Sequence, residues 1–129
     1  MNLLIELLQS EGRLEDIYII SPFKAVKEQV KSAIKNSSTL NQLVKRKHLN
    51  IVDFLKKHIG TVHTFQGKEN ETVIFVLGCD QDHQGALHGL LQNRNLLNVA
   101  VTRAKKNLFL LVTLSYGQNS RFLMSHIVN

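Results

Sequence analysis

Apolar and polar positions divide the chain into short segments with two different periods. Ile17-Tyr18-Ile19-Ile20 is a continuous apolar run, β-branched and aromatic, as expected of a buried strand. Thr72–Leu77 (Thr-Val-Ile-Phe-Val-Leu) and Leu108–Thr113 read the same way. Between the first two the period changes. Phe23, Val26, Val30 and Ile34 recur at helical spacing, with Lys24, Lys27, Lys31 and Lys35 mostly elsewhere on that helix. Ser21 suits its N-cap and Pro22 its first position, and Asn36-Ser37-Ser38-Thr39 closes it as a polar loop. Ile51, Leu55 and Ile59, spaced by four, predict a helix within 40–58. The remaining segments read as an apolar helix over 2–9, a strand over Thr61–Thr64 and a mobile polar loop over Asp80–Gln92. Helices follow over Asn95–Lys106 and Arg121–Val128. Strand and helix alternate, which predicts an α/β layer with a mostly parallel sheet.

Composition narrows the class. A chain of 129 residues, 43% hydrophobic and 20% charged, fits one globular domain spanning 1–129. No apolar run approaches the roughly 20 residues that span a bilayer. The amino-terminal apolar stretch has no basic segment before it and is interrupted by acids, unlike a signal peptide. The single cysteine, Cys79, excludes an internal disulfide and a cysteine-based zinc cluster, which points to the cytoplasm. A formal charge of +6 favours a polyanionic partner such as nucleic acid or nucleotide phosphates. With no Trp, two Tyr and six Phe, a broad base-stacking platform is not expected. His83 and His88 lie in the Gly-containing loop without cysteine partners or HExxH spacing, so no metal is expected.

Two stretches carry candidate chemistry. In GTVHTFQGKENETVIFVLG, Gly60–Gly78, a polar elbow at Gln66-Gly67-Lys68-Glu69 interrupts apolar runs. Following a strand, it is either an ordinary turn or a ligand loop at the carboxyl end of a sheet. In the second reading Gly67 allows close backbone approach, Gln66 offers an amide and Glu69 can accept from a ribose hydroxyl. In NLLNVAVTRAKKN, helical spacing gathers Leu96, Leu97, Ala100, Val101 and Ala104 on one face and puts Arg103 at its border. Arg103 is there either as a surface residue with a packed stem or as a planar, bidentate phosphate contact. Lys105 and Lys106 are expected in solvent, Lys105 within possible reach of a phosphate.

Taken together, GTVHTFQGKENETVIFVLG and NLLNVAVTRAKKNLFLLV resemble motifs V and VI of superfamily 1 helicases, in the branch of nonsense-decay and replication-type enzymes. YIISPFKAVKEQV resembles motif IV of the same group. The three occur in the family's order and cover most of 17–113. The resemblance implies a RecA-like domain of the P-loop NTPase type, equivalent to the carboxy-terminal, second motor domain. It assigns Arg103 as the arginine reaching a γ-phosphate, and Glu69, with Gly67 and Gln66, as the nucleotide-side loop. It assigns Ser21, Pro22, Phe23 and Lys24, together with His63 and Thr64, to the track of a single nucleic acid strand, DNA or RNA.

One departure from the family decides what the chain does alone. It contains no GxxxxGK[ST] loop and no acidic metal-binding strand. ATP and Mg2+ are then expected on a separate amino-terminal RecA-like domain carrying the Walker motifs, and this chain by itself is not expected to hydrolyse ATP. The alternatives are a stand-alone nucleic-acid-binding or regulatory module with the same fold, and a pure protein-interaction domain.

Overall fold

Val73, Ile74, Phe75, Val76 and Leu77 are all buried, and their side chains divide strictly between two cores. Ile74 and Val76 join Ile17, Ile19, Phe109 and Leu111. Val73, Phe75 and Leu77 join Ile20 and Leu108, with Tyr18 and Leu110 packed against them. Successive strand residues point to opposite faces, so a strand covered on both sides needs no polar position. That is why the apolar runs are unbroken.

The computed structural model describes residues 8–9, 13–79, 94–116 and 119–128. A 3₁₀ turn at Leu14–Asp16 leads into β1 (Ile17–Ile20), then α1 (Lys24–Lys35), α2 (Ser38–Arg46), α3 (Ile51–Lys57) and β2 (Ile59–Gly60). There follow β3 (Asn70–Cys79), α4 (Arg94–Arg103), β4 (Ala104–Tyr116) and β5 (Asn119–Val128). The sheet order is β2-β1-β3-β4-β5. The first four strands are parallel and β5 is antiparallel to β4. Helices α1, α2 and α3 cover one face through Val30, Ile34, Leu40, Val44 and Phe54. The other face carries Phe65 and, from α4, Ala100. The α/β fold with a mostly parallel sheet flanked by helices is therefore the observed one, in keeping with a RecA-like domain.

Several local expectations are corrected. Helix α1 starts at Lys24, with Phe23 as N-cap and no side-chain cap. Ser21 stands two residues before that N-cap, and its amide extends the ladder onto Gly60 O (3.0 Å). Its hydroxyl instead accepts from Phe23 N (3.2 Å). The helix expected from Ile51 and Leu55 is α3, and a further helix, α2, precedes it over Ser38–Arg46. His48 takes a left-handed φ of 56°, and Asn50 restarts the helix by accepting from Val52 N (2.8 Å) and Asp53 N (3.4 Å). Ile59 belongs to β2, and Thr61–Thr64 is a turn.

Helix α4 ends at Arg103 and passes directly into β4, so Lys105 and Lys106 are strand residues. Val101 is exposed (38%), outside the buried stripe assigned to it. Arg121–Val128 forms most of β5 and not a helix: it pairs with β4 from Leu114↔Arg121 to Asn107↔Val128. A short, largely apolar segment is compatible with either period, and here an open strand edge supplies the backbone partners. Of residues 2–9, only 8–9 are described. They are helical and Leu8 is buried. The loop read over Asp80–Gln92, with His83 and His88, lies outside the described residues.

Candidate nucleotide and nucleic-acid site

Parallel pairing brings the two main candidates to one edge of the sheet. Asn70 and Ala104 are register partners at the amino ends of β3 and β4, so Glu69 and Arg103 each stand one residue upstream of neighbouring backbones. Asn70 Nδ2 fixes this edge by donating to Glu15 O (3.0 Å). The β3–β4 register then shifts, Thr72 facing Asn107. One extra residue on β4 makes a bulge. It lets Lys105 and Lys106 both face solvent, where Lys106 Nζ meets Glu71 Oε2 (3.0 Å).

Arg103 is half-buried, and its Nε is a buried donor without a hydrogen-bond partner among the described residues. Such a donor costs about 1–3 kcal/mol while unpaired, and an anionic acceptor would remove that cost. Glu69, Gln66, Gly67 and Lys68 are exposed. Gly67 has a φ of 76°, with no heavy atom within 4 Å of where a Cβ would stand. The loop needs glycine for its backbone turn and leaves open space beside it.

Phe65 anchors this loop. Its side chain is fully buried, and its ring lies 4.4 Å from that of Tyr18 on β1, centroid to centroid. Lys68 N bonds back to Phe65 O (2.9 Å) and Gln66 N to His63 O (3.4 Å), so the polar elbow is built outward from a buried ring. Sequence reading gave Phe65 no role, although an aromatic inside a polar loop was its signal.

The remaining candidates lie at the opposite edge. Ser21 N bonds to Gly60 O, which brings the exits of β1 and β2 together. Thr64 closes its own turn, its Oγ1 accepting from Thr61 N (3.3 Å) and its amide donating to Thr61 O (3.0 Å). It also lies against Gly60, where a Cβ would stand 2.6–2.8 Å from Thr64 side-chain atoms. His63, Thr64 and Lys24 are exposed, Pro22 and Phe23 half-buried, and Ser21 buried.

The candidates thus form two groups. Ser21, Pro22, Phe23 and Lys24 share the carboxyl edge with His63 and Thr64, whereas Gly67 and Glu69 lead to the amino edge with Arg103. The expectation that Gln66–Glu69 follows a strand at the carboxyl edge is corrected: the segment crosses over Phe65 and enters β3 at its amino end. A cleft of about 330 Å3 between the 3₁₀ turn and α3, lined by Glu15, His48, Asp53, Phe54 and His58, contains none of the candidates. Among the described residues no three His, Cys, Asp or Glu side chains converge, and no helix is long and apolar enough to cross a membrane.

Residues 1–115 match the family described as AAA domain. The chain is 32% identical to the helicase MOV-10 of Gallus gallus over 78% of its length, and 31% identical to Regulator of nonsense transcripts 1 of Dictyostelium discoideum over 88%. It is 31% identical to DNA polymerase alpha-associated DNA helicase A of Schizosaccharomyces pombe over 79%. It spans 11%, 8% and 13% of those proteins, respectively. The chain belongs to the AAA domain family and, within it, to the superfamily 1 helicases of the nonsense-decay and replication-type branch.

Proposed function

We propose that residues 1–129 form the second motor domain of an ATP-dependent helicase, with Arg103 as the arginine finger. The reading rests on one observation: the Arg103 Nε is buried, without a partner among the described residues, at the sheet edge that Glu69 also occupies. A guanidinium whose Nε is already out of water at a helix end is suited to meet the charge that develops on a transferring phosphoryl group. Glu69, exposed beside it, accepts from the nucleotide sugar, and Gly67 and Gln66 shape the approach.

ATP and Mg2+ would sit mainly on a separate amino-terminal RecA-like domain with Walker motifs, where the metal neutralises charge on the β- and γ-phosphates. Arg103 and Glu69 supply the facing wall. At the other edge, Ser21, Pro22, Phe23, Lys24, His63 and Thr64 hold a single strand of nucleic acid. Because the Phe65-anchored segment joins both edges, closure on nucleotide at one is transmitted to the grip on the strand at the other. A single cysteine suits a reducing, cytoplasmic setting.

The test is ATP hydrolysis by this chain alone and by the chain joined to a Walker-bearing first half, with and without a single-stranded oligonucleotide. Turnover is expected only in the joined protein, and faster with the strand. Turnover by the chain alone, or a joined protein indifferent to oligonucleotide, overturns the reading.

A further inference from the structure

The positive charge of this protein is not spread over it. Positions 24–57 hold nine Lys and Arg against two Asp and Glu, a surplus of seven in a chain whose total is +6. Those positions make up α1, α2 and α3, the layer on one face of the sheet. Within it, Lys24, Lys27, Lys31 and Lys35 follow one another at three- and four-residue intervals. At 100° per residue they share an arc of about 80°, and at 1.5 Å per residue they extend about 16 Å along α1.

Helix stability does not account for this row. Cations in the first turn oppose the macrodipole, and α1 has no acid there. Only Lys35 lies in the last turn, where a cation is favourable. Lys27 Nζ pairs with Glu28 (3.2 Å), but among the described residues Lys24, Lys31 and Lys35 have no ion pair. The row also begins at Lys24, where the strand-holding loop after β1 ends.

We propose that the α1 row extends the nucleic-acid track, with Lys31 and Lys35 contacting successive phosphates beyond the loops. This rests on the strand-binding reading above and adds a path along α1, where Lys24 and Lys35 are exposed and Lys27 and Lys31 half-buried. Its experiment is a salt titration of the 129-residue chain with a fluorescent single-stranded oligonucleotide, comparing the native protein with Lys31→Gln/Lys35→Gln. Losing two phosphate contacts makes the slope of log K against log salt shallower by about 1.4. That corresponds to about 25-fold weaker binding at 0.1 M salt when the lines meet at 1 M.

Lys31→Arg/Lys35→Arg should restore the slope, and the melting temperatures of all variants should agree. Equal loss from Arg13→Gln/Lys56→Gln would mean that net charge acts alone, and overturns the proposal. So would a Gln variant that binds oligonucleotide normally but no longer binds polyglutamate, which would assign the row to an acidic protein. If the native chain binds no oligonucleotide, the strand-binding reading itself fails. If it binds and Thr64→Ala weakens it while the lysine variant does not, only the α1 row fails.

Discussion

Glu69 and Arg103 are 34 positions apart in sequence, yet each directly precedes one member of the Asn70↔Ala104 pair. Neither local period nor charge encodes that meeting; the parallel register of β3 and β4 does. The Arg103 Nε is buried there and has no hydrogen-bond partner among the described residues. We predict that Arg103→Ala lowers ATP turnover of the joined two-domain protein by about 10³–10⁵. Arg103→Lys should recover little of it, because an ammonium lacks the planar fork of donors. Near-normal turnover of Arg103→Ala would remove Arg103 from the reaction, and near-normal turnover of Arg103→Lys would show that charge suffices without the planar fork.

Phe65 carries the loop between the two edges. Its ring is fully buried beside Tyr18 and packs in the core that contains Phe75 and Leu108. Phe65→Ala is predicted to destabilise the chain by about 3–5 kcal/mol in urea unfolding. Phe65→Leu should cost much less and retain the loop. Equal losses from the two would show that the ring's volume is not what holds the segment down.

The strands were legible in sequence for a specific reason. Ile17–Ile20, Thr72–Leu77 and Leu108–Thr113 are continuous apolar runs because helices or loops cover both sheet faces, and continuous runs have little alternative use in a small domain. Ambiguity began where a segment satisfied two patterns. Thr61–Thr64 is β-branched like a strand but must turn so that the chain can pass from the exit of β2 to the entrance of β3. Arg121–Val128 could follow either period, and the open edge of β4, a tertiary fact, selects the strand.

The candidate residues Arg103, Gly67 and Glu69 were visible because the string of motifs is specific. Their separation from Ser21 and Thr64 to the opposite edge was not, since sequence order gives no direction across a sheet. Gly60 carried no signal at all. Its importance comes from the 2.6–2.8 Å approach of Thr64, a contact only the folded turn creates.

The break between α2 and α3 depends on one side chain. Asn50 Oδ1 accepts from two backbone amides of the new helix, Val52 N and Asp53 N. Asn50→Ala should lower stability by about 1 kcal/mol, and Asn50→Asp or Asn50→Ser should recover most of it. Thermal melts that rank Ala level with Asp would contradict the capping role.

Gly60 and Gly67 should fail in different ways when each is changed to alanine. At Gly67 the added Cβ meets nothing within 4 Å, so the cost is backbone strain at φ 76°, about 1–2 kcal/mol. Gly67→Asn should be milder, because Asn tolerates left-handed backbone better than Ala. At Gly60 the backbone is not the obstacle. The new Cβ would stand 2.6 Å from Thr64 Oγ1, 2.7 Å from its Cβ and 2.8 Å from its Cγ2. A rotamer change moves the outer two atoms but not the Thr64 Cβ, so the Thr61–Thr64 turn itself has to shift. Gly60→Ala should therefore weaken oligonucleotide binding as well as stability. Thr64→Ala should relieve the clash only partly, and Thr64→Gly more fully. A double-mutant cycle on unfolding free energy measures this directly: strong coupling of Gly60→Ala with Thr64→Gly and weaker coupling with Thr64→Ala is the expected order. Additive losses in both cycles would mean that Thr64 does not press on Gly60 in solution.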